Sequence, residues 1–312
     1  MTILLQKQLD FVTTARIQQF RPSRFRSILP VDGSVPTWAD RVQHSEFRMS
    51  GEHDPKLIGA TGPVGDLPRP TISRADAFIN ILHFGYSYGY SIFDLERAAE
   101  TNINLPATEA TTVQGIVERF LDSIAAGEHL ATKGLPGLFT LTCSAATAMT
   151  ALGTGAVPLL TACAKASGGT TWLSATFEEI ARDVEASIKH VEMETLENRT
   201  ANLVVIPPDR MFYLSTSRHA LTNVSLLQQL QAAYPGVRFI SWKRADLKDA
   251  AGTGPRMITM ATGEDVARMI VPQELRDETP IQQPLAVLIP QWMSTAGVLV
   301  ETPTAICYTD GI

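Results

Sequence analysis

The stretch from about Pro106 to Gly127 most limits what this chain can fold into. Its apolar residues Val113, Ile116, Val117, Phe120, Leu121 and Ile124 recur at three- and four-residue steps, one stripe of an α-helix. Pro106 suits the first helical position, where a missing N–H is harmless, and Gly127 suits the exit. At 1.5 Å per residue the helix is roughly 30 Å long, enough to span a domain. The turn Gly134-Leu-Pro-Gly-Leu-Phe139 closes it. Ahead of this spine lies extended chain with little helical pattern, and behind it an ordinary α/β body. That order predicts a subunit built to touch its neighbours.

Composition sets the outer bounds. The chain has 312 residues, 45% hydrophobic and 19% charged, a globular composition long enough for one large or two modest cores. Net charge is −6, which does not advertise nucleic-acid or acidic-membrane binding. The charge is uneven: residues 1–48 hold seven Lys and Arg against four acids, +3, which leaves −9 for the remainder. A basic segment suits nucleic acid or the acidic body of another subunit, and a scattered, solvated charge set shows the same count. Cys143, Cys163 and Cys307 are odd in number and lack metal-binding spacing, so they read as buried thiols in a reducing compartment. No apolar run reaches membrane-span length. No signal peptide is readable after Met1, and cytosolic synthesis is the default expectation.

Residues 1–37 carry a short helical pattern (Leu4 to Phe20) followed by Arg21-Pro-Ser-Arg-Phe-Arg26 and Pro30-Val-Asp-Gly33, which reads as an irregular arm. Arg24, Phe25 and Arg26 suit an anchor on a neighbour, since Arg and aromatics are enriched in interface cores; a surface turn shows the same residues. Trp38 to Met49 is strand-like but polar on both faces, so it should project or lie against another chain. Ser50 to Pro70 holds four glycines and four prolines, a loop of uncommon length. From Ile72 to Tyr90 strand returns, with Phe84, Tyr86, Tyr88 and Tyr90 alternating with Gly and Ser. Strand, loop and strand read as a large β-hairpin standing off the body. A short helix, Phe93 to Thr101, leads into the spine.

Beyond Phe139, the Ala/Thr/Gly-rich stretch Cys143 to Gly169 has no clear period. Thr176-Phe-Glu-Glu179 is a capping box opening a helix with an acidic outer face. Leu203 to Ile206 reads as a buried strand feeding a helix at Asp209 to Ser217, and Asn223 as the cap of a further helix ended by Pro235-Gly236. Strands are expected near Arg238–Trp242, Arg256–Met260, Leu285–Ile289 and Gly297–Tyr308. There is no internal repeat.

A search for chemistry returns no catalytic, cofactor or metal residues. Gly59-x-x-Gly62-x-x-Gly65 lacks the strand–helix context of a dinucleotide fingerprint and reads as a loop tip. The six histidines show no paired-ligand spacing, and Glu52-His53-Asp54 reads as a solvated cluster. No nucleophile elbow or cysteine-nucleophile signature is present.

The whole layout resembles the tailed-bacteriophage major capsid proteins of the Hong Kong 97-like fold. Thr171-Trp172 with the helix from Thr176, Asn202-Leu-Val-Val-Ile-Pro-Pro208 and Glu301-Thr-Pro-Thr-Ala-Ile306 are similar to stretches at corresponding places in that family. The resemblance implies an α+β chain in four parts. They are an N-terminal arm (1–37), an extended β-hairpin loop over a neighbour (38–85), a peripheral domain with the spine helix (86–140 and 280–312), and an axial domain (141–279). It further implies pentamers and hexamers in an icosahedral shell around DNA, with a portal replacing one pentamer and room for a decoration protein. Because the arm begins within a few residues of Met1, a separate scaffolding protein is expected. Some relatives form Lys–Asn crosslinks; Lys56 lies near the loop tip, but its Asn and acidic partners are not identifiable. Arg21, Arg24 and Arg26 are the candidate arm contacts, with Trp38 at the hairpin base. Two other readings remain: an encapsulin-type nanocompartment shell with the same fold, and an α/β enzyme with a mobile lid at 50–70.

Overall fold

The computed structural model describes residues 23–50, 71–94, 96, 105–141, 143–145, 157–163, 165, 171–219, 223–246, 248 and 254–312. The expected helix at Leu4–Phe20, the loop after Ser50 and most of the helix at Phe93–Thr101 lie outside these residues.

In chain order the elements are α1 (Phe25–Ile28), β1 (Val31–Asp32), β2 (Arg41–Ser50), β3 (Thr71–Asn80), β4 (Leu82–Ser91), α2 (Leu105–Ala125) and α3 (Leu130–Lys133). Next come β5 (Cys143–Ala145), β6 (Val157–Thr161), α4 (Phe177–Glu194), β7 (Leu203–Ile206), α5 (Pro208–Thr216), α6 (Leu226–Ala233), β8 (Arg238–Ser241) and β9 (Arg256–Met260). The chain closes with β10 (Ala267–Ile270), β11 (Gln273–Asp277), β12 (Ile281–Gln283), β13 (Ala286–Thr295), β14 (Gly297–Val300) and β15 (Ile306–Asp310).

The spine helix α2 forms where its apolar stripe predicts, with Val117, Leu121 and Ile124 buried. It lies over the inner face of a sheet in which β13 is central. One edge of β13 pairs with β4 along ten residues, and the other with β11 and β12. A second sheet has the order β5-β6-β15-β9-β7-β8, and its strands β15, β9 and β7 are buried on both faces. Val204 and Cys307 face a core under α4 and α6, whereas Val205 and Tyr308 face the core shared with α2. Burial on both faces explains why Leu203–Ile206 is an unbroken apolar run. The capping box at Thr176 is formed, with Glu179 Oε2 accepting the Thr176 N–H at 2.7 Å.

Four sequence expectations change. The single strand Ile72–Tyr90 is two strands, β3 and β4, divided at Ile81. Ile81 and Leu82 both turn inward, a slip in the alternation that hands the chain from hairpin to sheet. The helix α6 is capped by Ser225, not Asn223: Gln228 N–H donates to Ser225 Oγ at 3.4 Å and Ser225 N–H to Gln228 Oε1 at 3.3 Å. Asn223 instead takes a left-handed turn at φ 54°. The last expected strand is split into β14 and β15 by a 3₁₀ turn at Pro303–Ala305, where proline supplies no ladder N–H. Finally, residues 23–32 of the expected irregular arm are docked on the body: Phe25 and Ile28 are buried and β1 pairs with β10.

The β2–β3 hairpin pairs over ten residues, from Arg41↔Asn80 to Ser50↔Thr71. Its root is fastened by a separate small core of Ile81, Ile270, Ala296 and Leu299, with Val42 and Ile79 packed against it.

Candidate assembly surfaces and the joint behind them

Glu118 and Asp122 sit one helical turn apart on α2, and both receive the segment that leaves the arm. Asp122 Oδ1 accepts the backbone N–H groups of Arg24 and Phe25 at 3.1 and 3.2 Å. The same oxygen accepts the indole N–H of Trp242 at 3.1 Å, and Oδ2 accepts Arg244 Nε at 3.2 Å. Arg244 also reaches Glu128 Oε2 at 2.5 Å. One buried carboxylate thus joins the arm end, the spine and the loop after β8. No spacing rule marks Asp122 in the sequence, because Trp242 and Arg244 lie more than a hundred residues away.

The Gly134–Phe139 turn completes the joint. Leu138 N–H returns to Ala125 O at 2.7 Å, and Val298 N–H donates to Pro136 O at 2.9 Å. Gly127 exits the helix at φ 83°, a left-handed conformation natural to glycine. Gly137 lies flat on it: a Cβ there would fall 2.2 Å from Gly127 N and 2.5 Å from Ile124 O. Phe139 stacks on Trp242 at 5.5 Å between ring centroids, and the Tyr308 hydroxyl donates to Leu138 O.

Each expected contact residue can now be placed. Arg21 and Lys56 lie outside the described residues. Arg24 has an exposed side chain, and Phe25 is wholly buried in the chain's own core. Arg26 forks onto Glu118 at 2.8 Å and meets Glu274 at 2.9 Å. Its guanidinium pKa is held above its ordinary value, first by the Glu118 hydrogen bond, against the opposing effect of burial. Trp38 is 82% exposed beside the hairpin root, and Phe78 on β3 is 60% exposed. Each is a large apolar side chain left open to solvent near the hairpin.

A cleft of about 870 Å³ opens beside the joint, lined among others by Ser23, Arg24, Asp122, Glu128 and Arg244. Several of its charges pair with one another: Arg244 with Asp122 and Glu128, and Lys243 with Asp246. Such pairing joins segments. Deeper in the body, Lys165 and Asp183 form a fully buried ion pair to which Trp172 Nε1 adds a hydrogen bond at 2.9 Å. Cys163 and Cys307 are free thiols, and burial pushes the Cys307 pKa well up; the Cys143 side chain lies outside the described set. Among the described residues, no three His, Cys, Asp or Glu side chains are grouped to hold a metal ion, and no helix is long and apolar enough to cross a membrane.

Solved capsid chains share this fold. The chain matches the capsid of Myoviridae phage XM1 with a TM-score of 0.76 at 17% identity, over 98% of both chains. It matches the capsid of the empty GTA particle (TM-score 0.64, 14% identity, 99% of this chain and 97% of that one). The mature capsid of bacteriophage PhiM1 follows at TM-score 0.63 and 13% identity, over 96% and 90%. At these identities the likeness shows the fold alone. No curated protein matched the chain. Residues 59–312 match the family model for the major capsid protein, and the chain belongs to that family.

Proposed function

We propose that this major capsid protein builds the icosahedral head of a tailed phage, as pentamers and hexamers around double-stranded DNA. The single observation that carries the reading is the fold match over 98% of the chain to the XM1 capsid, joined to family membership over residues 59–312. The work is mechanical, not enzymatic. Residues 1–37 would serve as arm, 38–85 as extended loop, 86–140 with 280–312 as peripheral domain, and 141–279 as axial domain. The first of these begins to dock already at Phe25, on the joint built around Asp122. A portal, a separate scaffolding protein and a decoration protein are the partners this role implies, with packaged DNA at the inner surface. Arg21, Arg24, Arg26, Trp38 and Lys56 are the proposed assembly contacts, and the exposure of Trp38 makes it the first to test.

Electron microscopy of the expressed chain, with and without its scaffolding protein, is expected to show hollow icosahedral particles. A monodisperse small oligomer under both conditions would sink the proposal. Shells that form without scaffold and co-purify with an enzyme would move it to an encapsulin-type compartment.

A further inference from the structure

The β2–β3 hairpin leaves the body at a narrow root, where the Ile81 N–H donates to Asp40 O at 2.9 Å. Beyond that closure, Val42 and Ile79 rest on the small core of Ile81, Ile270, Ala296 and Leu299. Strand alternation puts His44 on the same face as Val42, opposite Ala77 of β3. At ~3.3 Å per residue His44 stands about 7 Å beyond Val42, so a contact there resists tilting with a longer lever.

A row of charges meets His44 at that point. Its Nδ1 lies 4.0 Å from Glu301 Oε1, just past the end of β14. The same oxygen pairs with Arg268 Nη2 of β10 at 2.7 Å. Arg268 Nε is 3.2 Å from Asp32 Oδ2 of β1, and Asp32 Oδ1 accepts the Ser34 N–H at 2.8 Å. Four side chains from four parts of the chain thus run from the docked end of the arm to the hairpin. The row is not saturated. Arg268 Nε is buried and close to Asp32 but misaligned, with no hydrogen bond among the described residues, and His44 stops short of hydrogen-bond distance.

Two carboxylates, Glu301 and Asp32, against one guanidinium leave a net negative field at His44. Glu46 follows on the same face of β2 by register, whereas Arg41 and Gln43 lie on the opposite, exposed face. A neutral imidazole gains little from that field. An imidazolium gains an ion pair, and with both side chains only 24% exposed, water screens it less than a pair on the open surface. Histidine is the side chain that changes charge between about pH 5 and 8.

We propose that His44, Glu301, Arg268 and Asp32 form a pH-sensitive latch that sets the angle of the hairpin on the body and closes when His44 takes a proton. The closed arrangement binds the proton more tightly than the open one, so closure is favoured at low pH and lost as pH rises. Asp32 makes the latch answer to the arm as well. When β1 leaves β10, Arg268 loses Asp32 and its full charge competes with His44 for Glu301, so release of the arm end loosens the hairpin. The latch belongs to the single subunit and stands apart from the capsid reading.

The test uses the full-length, unassembled subunit with Cys143, Cys163 and Cys307 replaced by alanine. Spin labels go on Ser50→Cys at the far end of β2 and Gln282→Cys on β12. Double electron–electron resonance then reads the fraction of subunits with the hairpin swung away. Going from pH 8 to 5.5 should lower that fraction roughly fivefold, the size of one partly buried charge pair. His44→Gln should keep the pH 8 distribution at both values, and His44→Lys the pH 5.5 distribution at both. A wild-type distribution that ignores pH, or a His44→Gln chain that keeps the response, overturns the latch. Asp32→Asn should raise the open fraction at pH 5.5, and a distribution identical to wild type overturns the link to the arm. A second reading needs no labels and keeps the native cysteines. At pH 8 the Ile81 amide should exchange with deuterium about fivefold more slowly in His44→Lys than in His44→Gln, and equal rates likewise overturn the latch.

Discussion

Trp242 donates its indole N–H to Asp122 at 3.1 Å, and this bond ties the loop after β8 to the spine helix. Asp122 serves three further donors from Arg24, Phe25 and Arg244. Asp122→Ala would leave the Arg24 and Phe25 N–H groups and the Trp242 indole without this acceptor, and Arg244 with Glu128 as its remaining carboxylate. A loss of about 3–5 kcal/mol is expected, as when one member of a buried charge pair is removed. Denaturant unfolding of the unassembled subunit measures it, and a loss below about 1 kcal/mol would show that the joint is not structural.

Gly137→Ala puts a methyl group against Gly127 and the Ile124 carbonyl, backbone atoms that cannot swing aside. A destabilisation of about 3 kcal/mol is expected, the upper end for overpacking. The control is Gly134→Ala, where no atom lies within 4 Å but φ is 70°; its cost is expected nearer 1 kcal/mol, from backbone strain alone.

Much of the spine was legible in sequence because its stripe is local: residues three and four apart state their own geometry. The capping box at Thr176 and the apolar run Leu203–Ile206 were legible for the same reason. The joint was not. Asp122, Gly137 and Trp242 meet only through tertiary packing, and nothing near Asp122 marks it as more than one of many acids. The Cys143–Gly169 stretch hid β5 and β6 because strands of three and five residues are too short to show a period. Among the five proposed contact residues, Trp38 is exposed beside the hairpin root and Arg26 pairs with Glu118 and Glu274 of its own chain, neither of which a local sequence pattern states.

The buried pair Lys165–Asp183 separates strength from specificity. Lys165→Met alone removes the cation from the buried carboxylate, leaving Trp172 Nε1 and the Cys163 N–H as its donors among the described residues, and a loss of about 3–5 kcal/mol is expected. The double variant Lys165→Met/Asp183→Leu should recover most of that loss, since an apolar pair avoids desolvating two charges. A double variant as unstable as the single one would contradict this account.

Acid should weaken the subunit through His129 and His190. Burial lowers both imidazole pKa values; Lys133 adds to the effect at His129, and at His190 Glu194 partly opposes it. A histidine lowered in the fold binds fewer protons there than in the unfolded chain. Stability is therefore complete well above the unfolded value near 6.5 and falls as pH drops through it. Melting temperature recorded from pH 8 to 5 is expected to decline, and less steeply in His129→Gln. An identical slope in that variant would remove His129 from the account.

Trp38→Ala should change subunit stability by less than about 0.5 kcal/mol, because the side chain is 82% exposed. Its expected effect is on shell yield, read by sedimentation.

The position of β15 has a consequence for synthesis. Residues 306–310 insert between β6 and β9, so the six-stranded sheet has a gap at its middle until the ribosome has passed residue 310. At about 5–20 residues per second, the half-minute or so needed to translate the chain is spent without a complete body. Strand pairing across such sequence distances is also slow. Until residues 306–310 emerge, β6 and β9 therefore lack the strand that joins them.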